Sequence, residues 1–265
     1  MTEKTPMPIE IIAGEPFNIR FDGPADAPVL MLSNSLGTDL GMWEPQIADW
    51  SKHFRVLRYD SRGHGLSVAT DRTFGIDQLG RDALAILDHF GIETAHWCGV
   101  SKGGMVGQWL ATHARDRVGR LVFANTAAHM GPPELWDGRI KTVRSQGMEA
   151  IVPGTLERWF SPAFRQTDAA TVAKVSQMLT TTPAIGYATC CAAIRDMDQR
   201  EAIRGIANPV LVIIGKVDPA TPPAAGHLIA EAIPGSRTVE LDAAHLSNLE
   251  QPEAFTRAVL AFLTA

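Results

Sequence analysis

A sharp turn from strand to helix is predicted at Gly99-Val100-Ser101-Lys102-Gly103. This pentapeptide matches the G-x-S-x-G pattern, with an apolar run before it and a helical pattern after it. In that context the pattern predicts a serine whose hydroxyl projects from the turn and is free for nucleophilic attack. The flanking glycines allow the strand and the helix to approach each other closely. The alternative is a glycine-rich turn in which the serine only caps the helix.

Strands and helices are predicted to alternate on both sides of this turn. Short apolar runs bounded by turn residues predict strands at 28–33, 54–60, 95–100, 121–125, 209–215 and 236–241. Helical patterns cover 76–89, 103–113, 224–232 and 253–263. The near-continuous apolar run at 211–214 is typical of a parallel strand that is covered on both faces. The alternation predicts an α/β fold with a mostly parallel central sheet flanked by helices.

One connection is too long for a single crossover helix. Residues 127–208 contain no predicted strand, and helical patterns fall at 133–146, 156–160, 169–179 and 184–195. We interpret this segment as a helical cap inserted into a discontinuous core made of 1–126 and 209–265. The alternative is a pair of ordinary crossover helices joined by a long loop.

A serine hydroxyl is a weak nucleophile and needs a base, which in turn needs an orienting acid. Among the eight histidines, His245 is best placed, in a loop after the last predicted strand. The chain order of this fold is serine, then acid, then histidine, and it favours Asp218 in the loop after the strand at 209–215. Asp242 is the alternative acid, but it lies so close to His245 that we expect it to shape the loop.

The developing oxyanion needs two hydrogen-bond donors. One is the backbone N–H of Lys102, directly after the nucleophile. The other is predicted to be the backbone N–H of Leu36, in the loop after the strand at 28–33. The Lys102 side chain has two alternatives: it approaches an anionic substrate, or it lies along the protein surface with its ammonium in water.

Several stretches resemble the α/β-hydrolase superfamily and, within it, the 3-oxoadipate enol-lactonases. The most specific of them is 33–40, which reads Ser-Asn-Ser-Leu-Gly-Thr-Asp-Leu, where many other hydrolases carry His-Gly. The other similar stretches are 55–65, 107–110, 125–128, 158–160 and 218–223. The resemblance implies the triad Ser101, Asp218 and His245. One departure is Lys102, because relatives often carry Met or Leu after the nucleophile.

The resemblance implies hydrolysis of 3-oxoadipate enol-lactone to 3-oxoadipate through an acyl-enzyme, in the β-ketoadipate pathway, without a metal or organic cofactor. The substrate is then a small anionic lactone whose carboxylate needs a partner. The cap arginines are candidates, among them Arg139 and Arg195, and Trp136 is either a wall of the substrate pocket or part of the cap core. Three other functions are alternatives to enol-lactone hydrolysis: a general carboxylesterase, a C–C bond hydrolase of ring-fission products, and a ligand receptor on a hydrolase scaffold.

Composition excludes several other classes of protein. Of the 265 residues, 45% are hydrophobic, and the formal net charge of −5 shows no excess of basic residues that would indicate binding to nucleic acid. No apolar run is long enough to span a membrane, and the polar start of the chain lacks the pattern of a signal peptide. The three cysteines lack metal-ligand spacing and two of them are adjacent, so we expect reduced thiols and a cytoplasmic protein.

Overall fold

One sheet organises the protein. The computed structural model describes residues 9–265. The strands of this range are β1 Ile9–Ile12, β2 Glu15–Asp22, β3 Val29–Ser33, β4 Arg55–Tyr59, β5 Ala95–Val100, β6 Val118–Ala124, β7 Val210–Gly215 and β8 Arg237–Leu241. They form an eight-stranded sheet in the order β1-β2-β4-β3-β5-β6-β7-β8. The predicted α/β class is confirmed.

The sheet is parallel from β4 to β8, and β1 and β2 add an antiparallel margin. Every residue of β7 is buried, as expected for a strand covered on both faces. Sequence analysis missed β1 and β2. Both are antiparallel and only partly buried, so neither carries the continuous apolar run that marked the inner strands.

The helices flank this sheet. Outside the segment between β6 and β7 they are α1 Glu44–Trp50, α2 Ile76–His89, α3 Lys102–His113, α9 Pro223–Ala232, α10 Ser247–Glu250 and α11 Pro252–Leu263. Four of these were predicted, and the bounds of α2 agree to the residue. Sequence analysis missed the short helices α1 and α10.

The long connection between β6 and β7 contains only helices and turns, apart from one isolated β-bridge between His129 and Asp198. Its helices are α4 Pro133–Gln146, α5 Val152–Trp159, α6 Pro162–Thr167, α7 Ala169–Thr181 and α8 Ala184–Arg195. The predicted bounds of α4 and α8 agree with the structure, and α6 was missed. We call residues 127–208 the helical segment.

Candidate active site

Ser101 occupies the predicted turn between β5 and α3. Its φ of +56° is unusual for a residue with a side chain, and its N–H donates to the Ala124 carbonyl at 2.9 Å. The flanking glycines are required by space, because a Cβ at Gly99 would lie 2.2 Å from the backbone of Gly103. A Cβ at Gly103 would lie 2.1 Å from the Ser33 carbonyl oxygen. The strand β5 and the helix α3 therefore approach each other closely, as the G-x-S-x-G pattern predicts.

The structure brings Asp218, and not Asp242, to the histidine. The Nδ1 of His245 donates to Oδ2 of Asp218 at 2.9 Å, and both side chains are almost fully buried. A carboxylate only accepts, so Nδ1 carries a proton, and in the neutral ring Nε2 then keeps its lone pair. Asp242 is exposed and pairs with the Lys216 ammonium at 2.9 Å.

Hydrogen bonds fix the Asp218 carboxylate. Besides His245, it accepts from the N–H groups of Ala220 and Thr221, the Thr221 hydroxyl and the amide of Asn125. Burial raises the pKa of Asp218, but the interaction with His245 and the hydrogen bonds from Thr221 outweigh burial and lower the pKa below its ordinary value. Asn125 also donates to the Ala244 carbonyl at 3.0 Å, so it links the acid loop to the histidine loop.

Ser101 and His245 line the same cavity, which has a volume of about 370 Å³. Among residues 9–265 the Ser101 hydroxyl makes no hydrogen bond to the His245 ring. Such contacts often tighten only when a substrate is bound. Trp159 lies against the ring of His245 with 6.3 Å between centroids, and its carbonyl accepts from the Leu246 N–H at 3.1 Å.

The two predicted oxyanion donors flank the nucleophile. Leu36 lines the cavity beside Ser101, and Lys102 is the first residue of α3. Neither backbone N–H donates to another group in the part of the chain that the structure describes. The first amides of a helix have no partner within it, so the Lys102 N–H is available to a developing negative charge.

Both expectations for the Lys102 side chain are wrong. The side chain is fully buried, neither in the cavity wall nor at the surface, and its ammonium donates to the Ser61 hydroxyl. Burial lowers the pKa of Lys102, against the opposing influence of Cys190, Asp60 and Asp82.

The helical segment supplies the opposite wall of the cavity. Trp136 and Arg139 of α4 line it, together with Arg158 of α5 and Tyr187 of α8. Trp136 belongs to the cavity wall and to the packed core at once, because it is 8% exposed and lies 5.1 Å below the Arg139 guanidinium. Arg139 and Arg158 form no ion pair with any carboxylate of residues 9–265. Burial and the charge of Arg139 lower the pKa of Arg158.

The prediction for Arg195 needs correction. This residue does not line the cavity, and its guanidinium is neutralised by Asp137 at 2.5 Å and Asp196 at 2.7 Å. Arg158 lies where a substrate-binding cation was expected.

Sequence reasoning also missed Thr221, Tyr187 and Trp159 as cavity residues. The stretch Arg158-Trp159-Phe160 resembled the enol-lactonases and was the available signal for two cavity residues. Tyr187 carried no such signal.

Two further properties concern the whole described range. Residues 9–265 hold no cluster of three or more His, Cys, Asp or Glu side chains that could bind a metal ion. Over the same residues, no helix combines the length and apolar character needed to cross a membrane.

Comparison with known proteins gives concordant matches. The α/β hydrolase fold family matches residues 28–252. The 3-oxoadipate enol-lactonase 2 of Acinetobacter baylyi is 45% identical over 241 residues, which is 91% of this chain and 90% of the relative. The 3-oxoadipate enol-lactonase 1 of the same organism is 39% identical over 94% of both chains. The crystal structure of the enol-lactonase from Burkholderia xenovorans superposes with a TM-score of 0.96 at 45% identity, covering 97% of this chain and all of that one.

Proposed function

Since this chain belongs to the 3-oxoadipate enol-lactonases of the α/β hydrolase fold family, we propose that it hydrolyses 3-oxoadipate enol-lactone through an acyl-enzyme on Ser101. The observation that carries the proposal is the composition of one cavity. Its core wall holds Ser101 and His245, and its other wall holds Arg139 and Arg158 without carboxylate partners. Such a cavity suits an ester that also bears a carboxylate.

Acylation begins when Oγ of Ser101 attacks the lactone carbonyl carbon and His245 Nε2 takes the hydroxyl proton. Asp218 stabilises the imidazolium through Nδ1. The N–H groups of Leu36 and Lys102 donate to the tetrahedral oxyanion. When this intermediate collapses, the ring C–O bond breaks and His245 returns its proton to the enol oxygen. The enol tautomerises to a ketone, so ring closure is disfavoured.

Deacylation repeats the same proton transfers with water. His245 takes a proton from a water molecule, whose oxygen attacks the acyl carbon. The second tetrahedral intermediate then releases Ser101, which recovers its proton from His245. The products balance as one 3-oxoadipate per lactone and water, and no step requires a metal or an organic cofactor.

The carboxylate of the substrate pairs with Arg139 and Arg158 in this proposal. Burial of an unpaired anion is costly, and a guanidinium can bind a carboxylate through two parallel hydrogen bonds. The mutual repulsion of two neighbouring cations is relieved when an anion lies between them. Trp136 lies beneath the Arg139 guanidinium, and a cation–π contact of this kind helps to hold the guanidinium in place.

We further propose that residues 127–208 act as a cap on a core formed by 1–126 and 209–265. The cavity draws its wall from both parts, which supports this division. Trp159 contacts the histidine loop, and Tyr187 packs near the loop that carries Leu36, where a Cβ at Gly37 would lie 3.1 Å from its ring. In this division the core performs the chemistry and the cap selects the substrate.

The test is steady-state turnover of 3-oxoadipate enol-lactone beside p-nitrophenyl acetate, for the wild type and Ser101→Ala. We expect kcat/KM to be far higher for the lactone, and both activities to fall by about 10⁶-fold in the variant. Comparable rates for the two substrates would favour a general carboxylesterase. Turnover of a vinylogous 1,5-diketone in place of the lactone would favour a C–C bond hydrolase. Labelling of Ser101 by a phosphonate without turnover of any substrate would favour a receptor.

A further inference from the structure

A buried polar chain lies behind the oxyanion loop 34–38 and has no part in the mechanism above. It begins at the ammonium of Lys102, which donates to the Ser61 hydroxyl. Ser61 belongs to the turn after β4, and the same turn carries His64. All three side chains are at least nine-tenths buried, and none of them lines the substrate cavity.

His64 accepts a hydrogen bond from the oxyanion loop. The N–H of Gly37 donates to Nε2 of His64 at 2.8 Å. An accepting Nε2 carries no proton, so the proton lies on Nδ1, which faces the Arg62 carbonyl at 3.1 Å. The ring is therefore neutral and in a single tautomer. A second proton on the ring would place Nε2–H against the Gly37 N–H, two donors without an acceptor.

The hydrogen bond between Gly37 and His64 can fix the conformation of the oxyanion loop. Gly37 follows Leu36, and its φ of +82° favours glycine. The helical segment packs closely against Gly37, because a Cβ at this position would lie 2.5 Å from the Leu179 side chain. The orientation of the Leu36–Gly37 peptide therefore depends on His64, and this peptide adjoins the one that presents the Leu36 N–H.

We propose that His64 is a positioning residue for the oxyanion hole, and that the buried ammonium of Lys102 keeps His64 in its accepting form. Lys102 then serves both sides of the hole, with its own N–H on one side and its side chain acting through His64 on the other. This inference rests on the proposed function only in that it requires an oxyanion to form at Ser101.

The electrostatics of the surrounding groups agree with this arrangement. Burial lowers the pKa of His64 well below its ordinary value, and the charge of Lys102 lowers it further, against the Arg62 carbonyl. Two further carboxylates lie near this chain. Asp82 pairs with Arg62 at 2.7 Å, whereas Asp60 accepts, within residues 9–265, only from Asn18 and from the Leu40 and Leu66 N–H groups, and burial raises its pKa. From α8, the Cys190 thiol donates to the Arg62 carbonyl at 3.4 Å.

The first test compares His64→Leu with His64→Gln, using both the lactone and p-nitrophenyl acetate. Leu removes the acceptor for the Gly37 N–H, and we expect kcat to fall by up to about 100-fold, with KM little changed. The amide oxygen of Gln can accept that hydrogen bond, so this variant should recover most of kcat. His227→Leu, at a partly exposed position on α9 outside the cavity, is the matched control and should keep wild-type kinetics. Equal losses in Leu and Gln, or a wild-type kcat in a folded Leu variant, would overturn the proposal.

The second test removes the charge and does not depend on whether His64→Leu folds. In Lys102→Met we expect the His64 ring, followed by NMR, to protonate at higher pH than in the wild type, because the neighbouring cation is gone. The double variant Lys102→Met/His64→Gln identifies the signal, since it lacks the His64 ring. An unmoved His64 titration in the single variant contradicts the role of Lys102. Because p-nitrophenyl acetate reports on the oxyanion hole by itself, failure of lactone turnover would not be confused with failure of this inference.

Discussion

The core wall and the cap wall of the cavity hold their charged groups in opposite ways. Behind the core wall, the Asp218 carboxylate accepts five hydrogen bonds, and the side chains of the proposed triad are buried. On the cap wall, Arg139 and Arg158 have no carboxylate partner among residues 9–265. Three other arginines of the helical segment, Arg144, Arg195 and Arg200, are each paired with an aspartate.

This difference separates two tasks. A group that must act identically in every turnover is best held by preorganised hydrogen bonds, which cost no reorganisation in the transition state. A cation that awaits a substrate anion cannot be neutralised in advance, or the substrate would have to displace the partner. The core wall should therefore control kcat, and the cap wall should control KM and the choice of substrate.

The largest expected effect is on the core wall. Asp218→Asn should lower kcat by about 10⁴-fold for both the lactone and p-nitrophenyl acetate, because an amide favours the wrong tautomer of His245. KM should change little, which steady-state kinetics on both substrates will measure.

Asp242→Asn is the matched control, since it alters the other aspartate near His245 in sequence. It should leave kcat unchanged. If Asp242→Asn were the damaging variant, Asp218 would not be the acid of the triad, and the contrast between the two walls would lose its basis.

A smaller effect is expected on the cap wall. Arg139→Met or Arg158→Met should raise KM for the lactone by about 10- to 100-fold, because each removes charged hydrogen bonds to the substrate carboxylate. Turnover of the neutral p-nitrophenyl acetate should be retained. Arg195→Met provides the control, because its guanidinium is already neutralised outside the cavity. Equal losses on both substrates would show that the arginines support the fold and not substrate recognition.

The proposed residues of the core wall were chosen from patterns in the sequence. The turn at Ser101 and the order of acid and histidine along the chain are local or topological features, and they led to Asp218 and His245. Repeating apolar positions likewise located α2, α4 and α8 to the residue. The half-buried β1 and β2 carried a weaker signal and were missed.

The cap wall and the Lys102 side chain could not be predicted in this way. Which cap arginine faces the cavity depends on how α4, α5 and α8 pack against one another, and not on the spacing within any one of them. Arg195 and Arg158 both lie near the C-terminal ends of helices in the helical segment, yet only Arg195 ends beside Asp137 and Asp196. The burial of Lys102 depends on Ser61, 41 residues earlier in the chain.

The smallest expected effect concerns acid stability, and it tests the core wall without turnover. Because the pKa of Asp218 is lowered in the folded protein, its ionised form stabilises the fold above the unfolded-state pKa of about 4. This contribution is lost as the pH falls through the lower, folded-state value. The wild type should therefore be more stable than Asp218→Asn at pH 7, and the difference should narrow towards pH 2, as denaturant titrations at each pH will show.

The comparison with Asp242→Asn isolates the buried carboxylate from the general effects of acid. Its exposed pair with Lys216 should contribute little at any pH. A difference between wild type and Asp218→Asn that stayed constant from pH 7 to pH 2 would mean that the hydrogen bonds to Asp218 do not favour its ionised form. The hydrogen bonds would then position the Asp218 carboxyl group without favouring its negative charge. In that case the core wall would not be preorganised to stabilise the imidazolium of His245, and it would differ less from the cap wall.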